Sequence, residues 1–166
     1  MNDTLIIRRI LPTDNTEVSR IIKSVLVEHD AAREGTAYMD KETDAMYQAY
    51  QDNNEAYFVA ILDNKIVGGA GIKHLSQSED NICELQKMYI LPEARNRKVG
   101  KELILKCLEF AKYCNYEKCY LETFPQMQAA INLYVRNGFT QINQALGNTS
   151  HYACNVWMIK NLEQTK

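Results

Sequence analysis

Seven segments of the chain carry the pattern of apolar residues that predicts β-strands. Each is short, is rich in β-branched or aromatic residues, and several are bounded by turn-forming residues. Asp63 and Asn64 separate two of these segments and predict a tight turn between them. The predicted strands cover residues 5–10, 57–62, 65–72, 83–90, 118–123, 139–142 and 153–159.

Four other segments place apolar residues at the three- and four-residue spacing of one helix face. Asp14 followed by Glu17 predicts a capping box at the start of the first helix. Asn137 and Gly138 predict a C-cap at the end of the last one. The predicted helices cover residues 15–27, 42–51, 99–113 and 127–136.

The order of these elements indicates the fold class. It is β-α-α-β-β-β-α-β-α-β-β, so strands first follow one another directly and later alternate with helices. This order predicts an α/β fold with a mixed central sheet of about seven strands and helices on both faces. No repeat or Pro/Gly-rich linker interrupts the chain, so residues 4–166 are expected to form a single domain.

Composition narrows the classes of partner. The 166 residues carry a formal net charge of -2, so no overall field attracts nucleic acid or an anionic membrane. No apolar run approaches the roughly 20 residues that cross a bilayer, and the polar residues 1–3 are unlike a secretion signal. We therefore expect a cytoplasmic protein with neither nucleic acid nor membrane as a partner.

The cysteines favour the same compartment. There are five, an odd number, and no two form a CxxC pair. Cys107 falls on an apolar helix stripe and Cys119 in a predicted strand, which is typical of buried, reduced thiols. The three histidines lie far apart in the sequence, so no metal site is expected.

A basic loop between a predicted strand and a predicted helix is the most informative segment. Residues 88–101 contain Arg95, Arg97, Lys98 and Lys101 in an otherwise acidic chain. The unpaired N–H groups and partial positive charge of a helix N-terminus bind phosphate, and nearby cations strengthen such a site. The alternative is an ordinary solvated face. Gly100 favours a binding site because it lets a ligand approach the backbone.

Two common nucleotide motifs do not fit this loop. A P-loop requires Gly where Arg95 stands and Ser or Thr where Glu102 follows Lys101. A dinucleotide-binding fingerprint requires glycines that the loop lacks.

The loop instead resembles the signature of the GNAT acetyltransferases, a strand, a Pro and then Arg/Gln-x-x-Gly-x-Gly/Ala opening a helix. Pro92, Arg95, Val99 and Gly100 match, whereas Lys98 stands where the family usually has Gly. A second motif of the family, Ala-Ile-x-Leu-Tyr on a helix closed by Gly-Phe, is similar to residues 130–139.

This resemblance implies the GNAT fold and acetyl-CoA as the acetyl donor. It places the coenzyme at the end of the predicted strand 83–90, on the basic loop, and on the helix predicted at residues 127–136. The implied contacts are Met88, Tyr89, Ile90, Arg95, Asn96, Arg97, Lys98, Val99, Gly100, Lys101 and Asn132.

The resemblance also implies catalytic roles. Backbone N–H groups of residues 88–90 would polarise the thioester carbonyl, and Tyr134 would protonate the leaving thiolate. The base would be Glu84, as in histone-type members, or Glu122, as in ribosomal-protein-type members. A carboxylate is ordinarily ionised at neutral pH and so needs no tuning to accept a proton.

The acceptor is the open question. By the resemblance, its pocket would include His29, Tyr38 and His151. No dense acidic patch in the sequence indicates a polyamine. We expect the acceptor to be a primary amine of a small molecule or an amino-acid-like compound. We expect the protein to be a monomer or homodimer. The alternatives are acetylation of a protein N-terminus or lysine, and a domain that binds acyl-CoA without catalysis.

Overall fold

The strands form one sheet in the computed structural model, which describes residues 4–78 and 80–163. Residues 1–3 and the last three residues of the expected domain lie outside this part. The order across the sheet is β1-β2-β3-β4-β5-β7-β6, and only the β4–β5 pair is parallel. The strands are β1 Leu5–Arg9, β2 Ala56–Leu62, β3 Lys65–His74, β4 Ile82–Ile90, β5 Lys118–Thr123, β6 Thr140–Ile142 and β7 Val156–Asn161. The predicted mixed α/β sheet is thus confirmed.

The helices cover both faces of the sheet. They are α1 Asn15–Glu28, α2 Met46–Ala49, α3 Val99–Tyr113 and α4 Gln128–Arg136. Within the described ranges, none of them is both long and apolar enough to cross a bilayer.

The alternation of side chains along β2 explains why two cores form. Phe58 and Ala60 point to the face that packs against α3, whereas Tyr57 and Val59 point to the face that packs against α1. Successive side chains of a strand face opposite sides, so a strand with apolar residues at nearly every position must be covered twice. This requirement places β2 and β3 between α3 on one face of the sheet and α1 on the other.

The structure corrects the predicted helix at residues 42–51. This segment is a 3₁₀ turn at Lys41–Asp44 followed by the single turn of α2, with Ala45 outside helical geometry between them. Tertiary contacts explain the break. Glu42 pairs with two lysines of the sheet, and the buried hydroxyl of Thr43 donates to the carbonyl of Ala37. These contacts override the amphipathic pattern.

Two smaller predictions also change. Asp14 does not cap α1, because its carboxylate accepts from the backbone N–H of Leu11 at 2.7 Å and pairs with Arg8. The expected capping box is therefore wrong. The last strand begins at Val156 instead of Ala153, because the residues before it form a turn in which the Cys154 N–H donates to the His151 carbonyl at 3.0 Å.

A bulge in β4 and its early separation from β5 shape the centre of the sheet. Two residues of β4, Lys87 and Met88, lie opposite Ala70 of β3, and Lys87 has a left-handed φ of 49°. The Tyr57 hydroxyl holds this bulge by donating to the Lys87 carbonyl at 2.8 Å. The parallel pairing with β5 ends at Glu84, so a cleft opens between the two strands.

We predict that Gly69→Ala destabilises the protein by about 1–3 kcal/mol, because the added methyl overpacks the bulge. A Cβ at position 69 would lie 2.6 Å from the Tyr57 ring and 2.9 Å from the Phe58 carbonyl oxygen. Urea unfolding measures the change. Lys65→Ala, on the exposed start of the same strand, is the control and should stay within about 0.5 kcal/mol of the parent. Equal stability of the two variants would contradict the packing argument.

Candidate active site

A cavity occupies the cleft between β4 and β5. Its walls come from both strands, from the loop after β5, from α4, from the loop before β7 and from the loop that follows α1. It brings together four of the residues expected at the site, which are Glu84, Glu122, Tyr134 and His151. Met88 and Tyr89 line the same cavity.

Glu84 is a buried carboxylate with one oxygen open to the cavity. The side chain is 4% exposed, and one of its oxygens accepts from Gln86 Nε2 at 2.8 Å. Its other oxygen has no hydrogen bond within residues 4–78 and 80–163. Since none of the fully buried side-chain oxygens there lacks a partner, this oxygen must reach the cavity.

Burial raises the pKa of Glu84 to about 7, and the nearby charge of Glu122 acts in the same direction. His151, Gln86 and Lys87 oppose the increase only in part. The expectation that this carboxylate is ionised at neutral pH is therefore too simple, because it is close to half-protonated there. A group with a pKa near the working pH is well suited to exchange protons.

Glu122 differs from Glu84 in its hydrogen bonds. One carboxylate oxygen accepts from the Tyr120 hydroxyl at 2.7 Å, and the other accepts from the Thr149 hydroxyl at 2.5 Å. Both oxygens are therefore engaged by protein groups. This difference favours Glu84 as the carboxylate that accepts a proton from a ligand.

Tyr134 presents a hydroxyl to the cavity from α4. Its ring is 6% exposed and packs edge-on against Phe139 at a centroid distance of 6.0 Å. The hydroxyl makes no hydrogen bond to any described residue and, by the same reasoning as for Glu84, must reach the cavity. Burial raises the pKa of Tyr134 well above its ordinary value, so the phenol keeps its proton at neutral pH.

A chain of hydrogen bonds orients Glu84. The buried Tyr50 hydroxyl donates to Gln86 Oε1 at 2.6 Å, which turns the amide so that Nε2 donates to Glu84. No sequence pattern links Tyr50 with Gln86, because the two residues lie 36 positions apart.

Sequence patterns also do not predict the ion-pair network that lies beside the cavity. Lys87, whose side chain is 2% exposed, lies 2.6 Å from Glu42 and 3.1 Å from Asp40. Asp40 in turn lies 2.7 Å from His151 Nε2. Burial alone would raise the pKa of Asp40, but the contacts with His151 and Lys87 together lower it. The network fixes the loop after α1 to β4 and to the loop before β7.

The group Glu84, Glu122 and His151 has the composition of a metal site. One ligand atom from each lies within 4.8 Å of the others. Carboxylate and imidazole are ligands for several divalent metals. The absence of a metal, expected from the sequence, stays a prediction.

The basic loop leads from β4 into α3 through two residues with left-handed backbone. Asn96 has a φ of 61°, and Lys98, the N-cap of α3, has a φ of 65°. The side chains of Asn96, Arg97, Lys98 and Lys101 are exposed. The first N–H groups of α3 have no partner within the helix, and Lys98 and Lys101 belong to this same helix start.

Arg95 ties this loop to the rest of the fold. Its guanidinium pairs with Glu28 of α1 at 2.5 and 2.7 Å and donates to the Ile90 carbonyl at 3.0 and 3.1 Å. Arg97 lies 3.5 Å from Asp63. The predicted phosphate contacts of these two arginines stay predictions, because both guanidiniums face carboxylates in this structure.

Gly100 is required by helix packing. A Cβ there would lie 2.6 Å from Leu133 Cδ2 of α4. The missing side chain therefore lets the start of α3 approach α4, in addition to any ligand that it admits. Val99, beside it, is buried in the main core.

Three expected contact residues lie away from the cavity walls. His29 follows α1 and lies 3.9 Å from Glu28, and Tyr38 packs on the core beside α1. Asn132 is exposed on α4, where it accepts from Gln128 at 3.0 Å. Their binding roles stay predictions.

A larger groove lies on the far side of the basic loop. It is lined by residues of α1, the β2–β3 turn and the segment after β4, and it contains none of the catalytic candidates. Two of its cations pair with its own carboxylates, Arg20 with Glu17 and Arg97 with Asp63.

We predict that Lys98→Gly raises the free energy of unfolding by about 1 kcal/mol, because a left-handed φ is costly for any residue with a Cβ. Lys98→Ala is the matched control, since it removes the ammonium but keeps the Cβ. Chemical denaturation compares the two. A Lys98→Gly variant no more stable than Lys98→Ala would contradict the backbone argument.

We predict that Glu84→Gln stabilises the protein at about pH 8 but not at about pH 5. The raised pKa means that the folded state favours the protonated acid. The cost of ionisation is absent below the ordinary pKa of 4.5, grows between that pH and about 7, and levels off above it at about 3 kcal/mol. Urea unfolding at both pH values measures it. Glu122→Gln, which disturbs two hydrogen bonds, should show no such gain, and a pH-independent effect of Glu84→Gln would contradict the assignment.

Comparisons with known proteins agree with this geometry. The sequence profile of the acetyltransferase (GNAT) family matches residues 24–139. A protein of Escherichia coli (strain K12), named as an uncharacterized N-acetyltransferase, YjgM, is 40% identical over 158 residues, which are 95% of each chain.

Two solved structures share the fold. A GNAT-family acetyltransferase of Staphylococcus aureus Mu50 has a TM-score of 0.84 at 24% identity, over 96% of this chain and 100% of that one. The putative acetyltransferase yncA of Salmonella typhimurium, solved with its cofactor acetyl-CoA, has a TM-score of 0.78 at 20% identity, over 97% of this chain and 95% of that one. The sheet with its β4–β5 cleft, the profile match and the full-length relative lead to one conclusion: the chain belongs to the acetyltransferase (GNAT) family and is an acetyl-CoA-dependent N-acetyltransferase.

Proposed function

We propose that the protein transfers the acetyl group of acetyl-CoA directly to a primary amine of a small molecule or an amino-acid-like acceptor. One observation carries this proposal. Glu84 and Tyr134 open into the same cavity, the first with an oxygen that can accept a proton and the second with a hydroxyl that can donate one. A domain that only binds acyl-CoA needs neither group.

The donor binds where the first turn of α3 offers unpaired N–H groups. Lys98 and Lys101 add positive charge at this helix start, which suits a pyrophosphate. The cleft beyond Glu84 leaves β4 without a β-partner on its β5 side, so those backbone N–H groups of residues 88–90 that point away from β3 are available to polarise the thioester carbonyl.

The proton transfers follow from the two side chains. Glu84 takes a proton from the acceptor ammonium, and the neutral nitrogen attacks the carbonyl carbon of the thioester. The bond between this carbon and sulfur then breaks, and the leaving thiolate takes the proton of the Tyr134 hydroxyl. Attack leaves one excess proton on the acceptor nitrogen; its transfer to the Tyr134 oxygen, directly or through water, gives the neutral amide and restores the phenol. Glu84 releases its proton to solvent when the products leave. The buried phenol holds that proton until the thiolate forms, because its pKa lies far above neutrality.

This direct transfer uses protein side chains alone, so we propose that no metal is needed. Treatment with a chelator should leave the rate unchanged.

We also propose a cytoplasmic enzyme that acts as a monomer or homodimer. Acetylation of a protein N-terminus or lysine is the alternative, and peptide acceptors in the same assay separate it from the small-amine reaction.

We predict that Tyr134→Phe lowers kcat by about 100-fold, because the variant keeps the ring but loses the proton donor. The affinity for CoA should stay nearly unchanged, because the hydroxyl acts after binding. Thiol release from acetyl-CoA with a panel of amines measures kcat, and calorimetry measures CoA affinity.

Parent-like turnover by Tyr134→Phe would show that Tyr134 is a packing residue and not the acid.

The variants Glu84→Gln and Glu122→Gln in the same assay identify the base. Loss of activity in Glu122→Gln alone would transfer the base role to Glu122. CoA binding without acetylation of any amine or peptide would favour a non-catalytic domain.

A further inference from the structure

The charges around the cavity are mostly negative. Glu84 and Glu122 line it directly, and Asp40 and Glu42 lie behind them in the ion-pair network. These carboxylates come from separate segments, which is why the sequence shows no acidic patch.

The cations of this network are already paired. Lys87 contacts both Asp40 and Glu42, and Lys73 lies 3.2 Å from Glu42. His151 directs Nε2 to Asp40 at 2.7 Å. Four carboxylates therefore face two lysines and one imidazole, and both lysines already contact carboxylates of the network. The exposed Arg33 of the loop after α1 lies outside this network, near Cys154 of the cavity wall.

The polar groups open to the cavity add a second observation. The Glu84 carboxylate and the Tyr134 hydroxyl are both more than nine-tenths buried, and each has an atom that reaches the cavity without a protein partner. A ligand that completes these contacts must bring an N–H donor to Glu84. A carboxylate on the next carbon of that ligand would lie close to Glu84 and Glu122 in a poorly solvated place, where like charges repel strongly.

We propose that the acceptor is a primary amine with no carboxylate beside its amino group, and that a second cationic group on it improves binding. This inference rests on the proposed function and narrows it, since free α-amino acids become poor acceptors. A second cation would pair with Glu122, whose carboxylate is held in place by Tyr120 and Thr149.

Matched acceptors that differ only in the carboxylate test this selectivity. We expect kcat/KM with acetyl-CoA to be about 10- to 100-fold higher for agmatine than for arginine, and likewise for phenethylamine than for phenylalanine. Agmatine, which carries a guanidinium, should exceed phenethylamine. The N-acetylated product is identified by mass, and equal or better use of the free amino acids would overturn the proposal.

Two variants check the cause. Glu122→Gln should reduce the preference for agmatine over arginine, because it removes one of the repelling charges. Arg33 is an exposed residue of the loop after α1, near enough to Cys154 to influence it. Arg33→Ala should leave the preference unchanged. If Arg33→Ala instead loses acetylation of free arginine, the Arg33 side chain binds the carboxylate of the acceptor, which contradicts the proposal.

Binding measurements distinguish a failure of the proposed function from a failure of the proposed selectivity. If none of the four compounds is acetylated, the proposed function loses support, but calorimetry on the protein saturated with CoA still compares agmatine with arginine. Tighter binding of agmatine, lost in Glu122→Gln, supports the selectivity. Equal or weaker binding of agmatine overturns it.

Discussion

The buried ammonium of Lys87 is the constraint on which the cavity depends. An ammonium removed from water is strongly destabilising unless anions surround it, and here Asp40 and Glu42 do so. The loop after α1 must therefore lie against β4, and residues 42–51 cannot form the continuous helix that their apolar spacing favours. Because Asp40 also contacts His151, the same ammonium indirectly positions the loop before β7. Three segments far apart in sequence thus meet beside the bulge.

The cavity then separates two similar carboxylates by their hydrogen bonds. Glu122 accepts one hydroxyl donor on each oxygen, whereas Glu84 receives one amide donor through the chain from Tyr50. The two donors hold the Glu122 carboxylate in one orientation, while burial with one oxygen open to the cavity raises the pKa of Glu84. The sheet supplies this difference, since Glu84 lies at the last residue of β4 that pairs with β5. Electrostatics and topology therefore act together to make the two carboxylates different.

The sequence predicted the sheet well because its signals are local. Alternation along β2, the turn at Asp63-Asn64 and the helix stripe of α3 each depend on neighbouring residues. The candidate acid and base, Tyr134 and Glu84, were predicted from a resemblance of motifs, and both line one cavity in the structure. What the sequence did not reveal was long-range: the pairing of Lys87 with Asp40 and Glu42, and the acidic character of the cavity. Ion pairs between distant segments leave no periodic trace, so only the folded chain shows them.

Several residues around the site are held in states that are unfavourable for them in isolation. Lys87 and Lys98 have left-handed backbone, and Glu84 is a buried acid. Such states persist only where the surrounding structure over-determines them, and they cluster at functional sites. Here the supporting forces are identifiable: the Tyr57 hydroxyl on the Lys87 carbonyl, and the Arg95 guanidinium that ties the basic loop to α1. A substitution that removes one of these supports acts on the site without touching a ligand, because it releases the strained residue instead of deleting a contact.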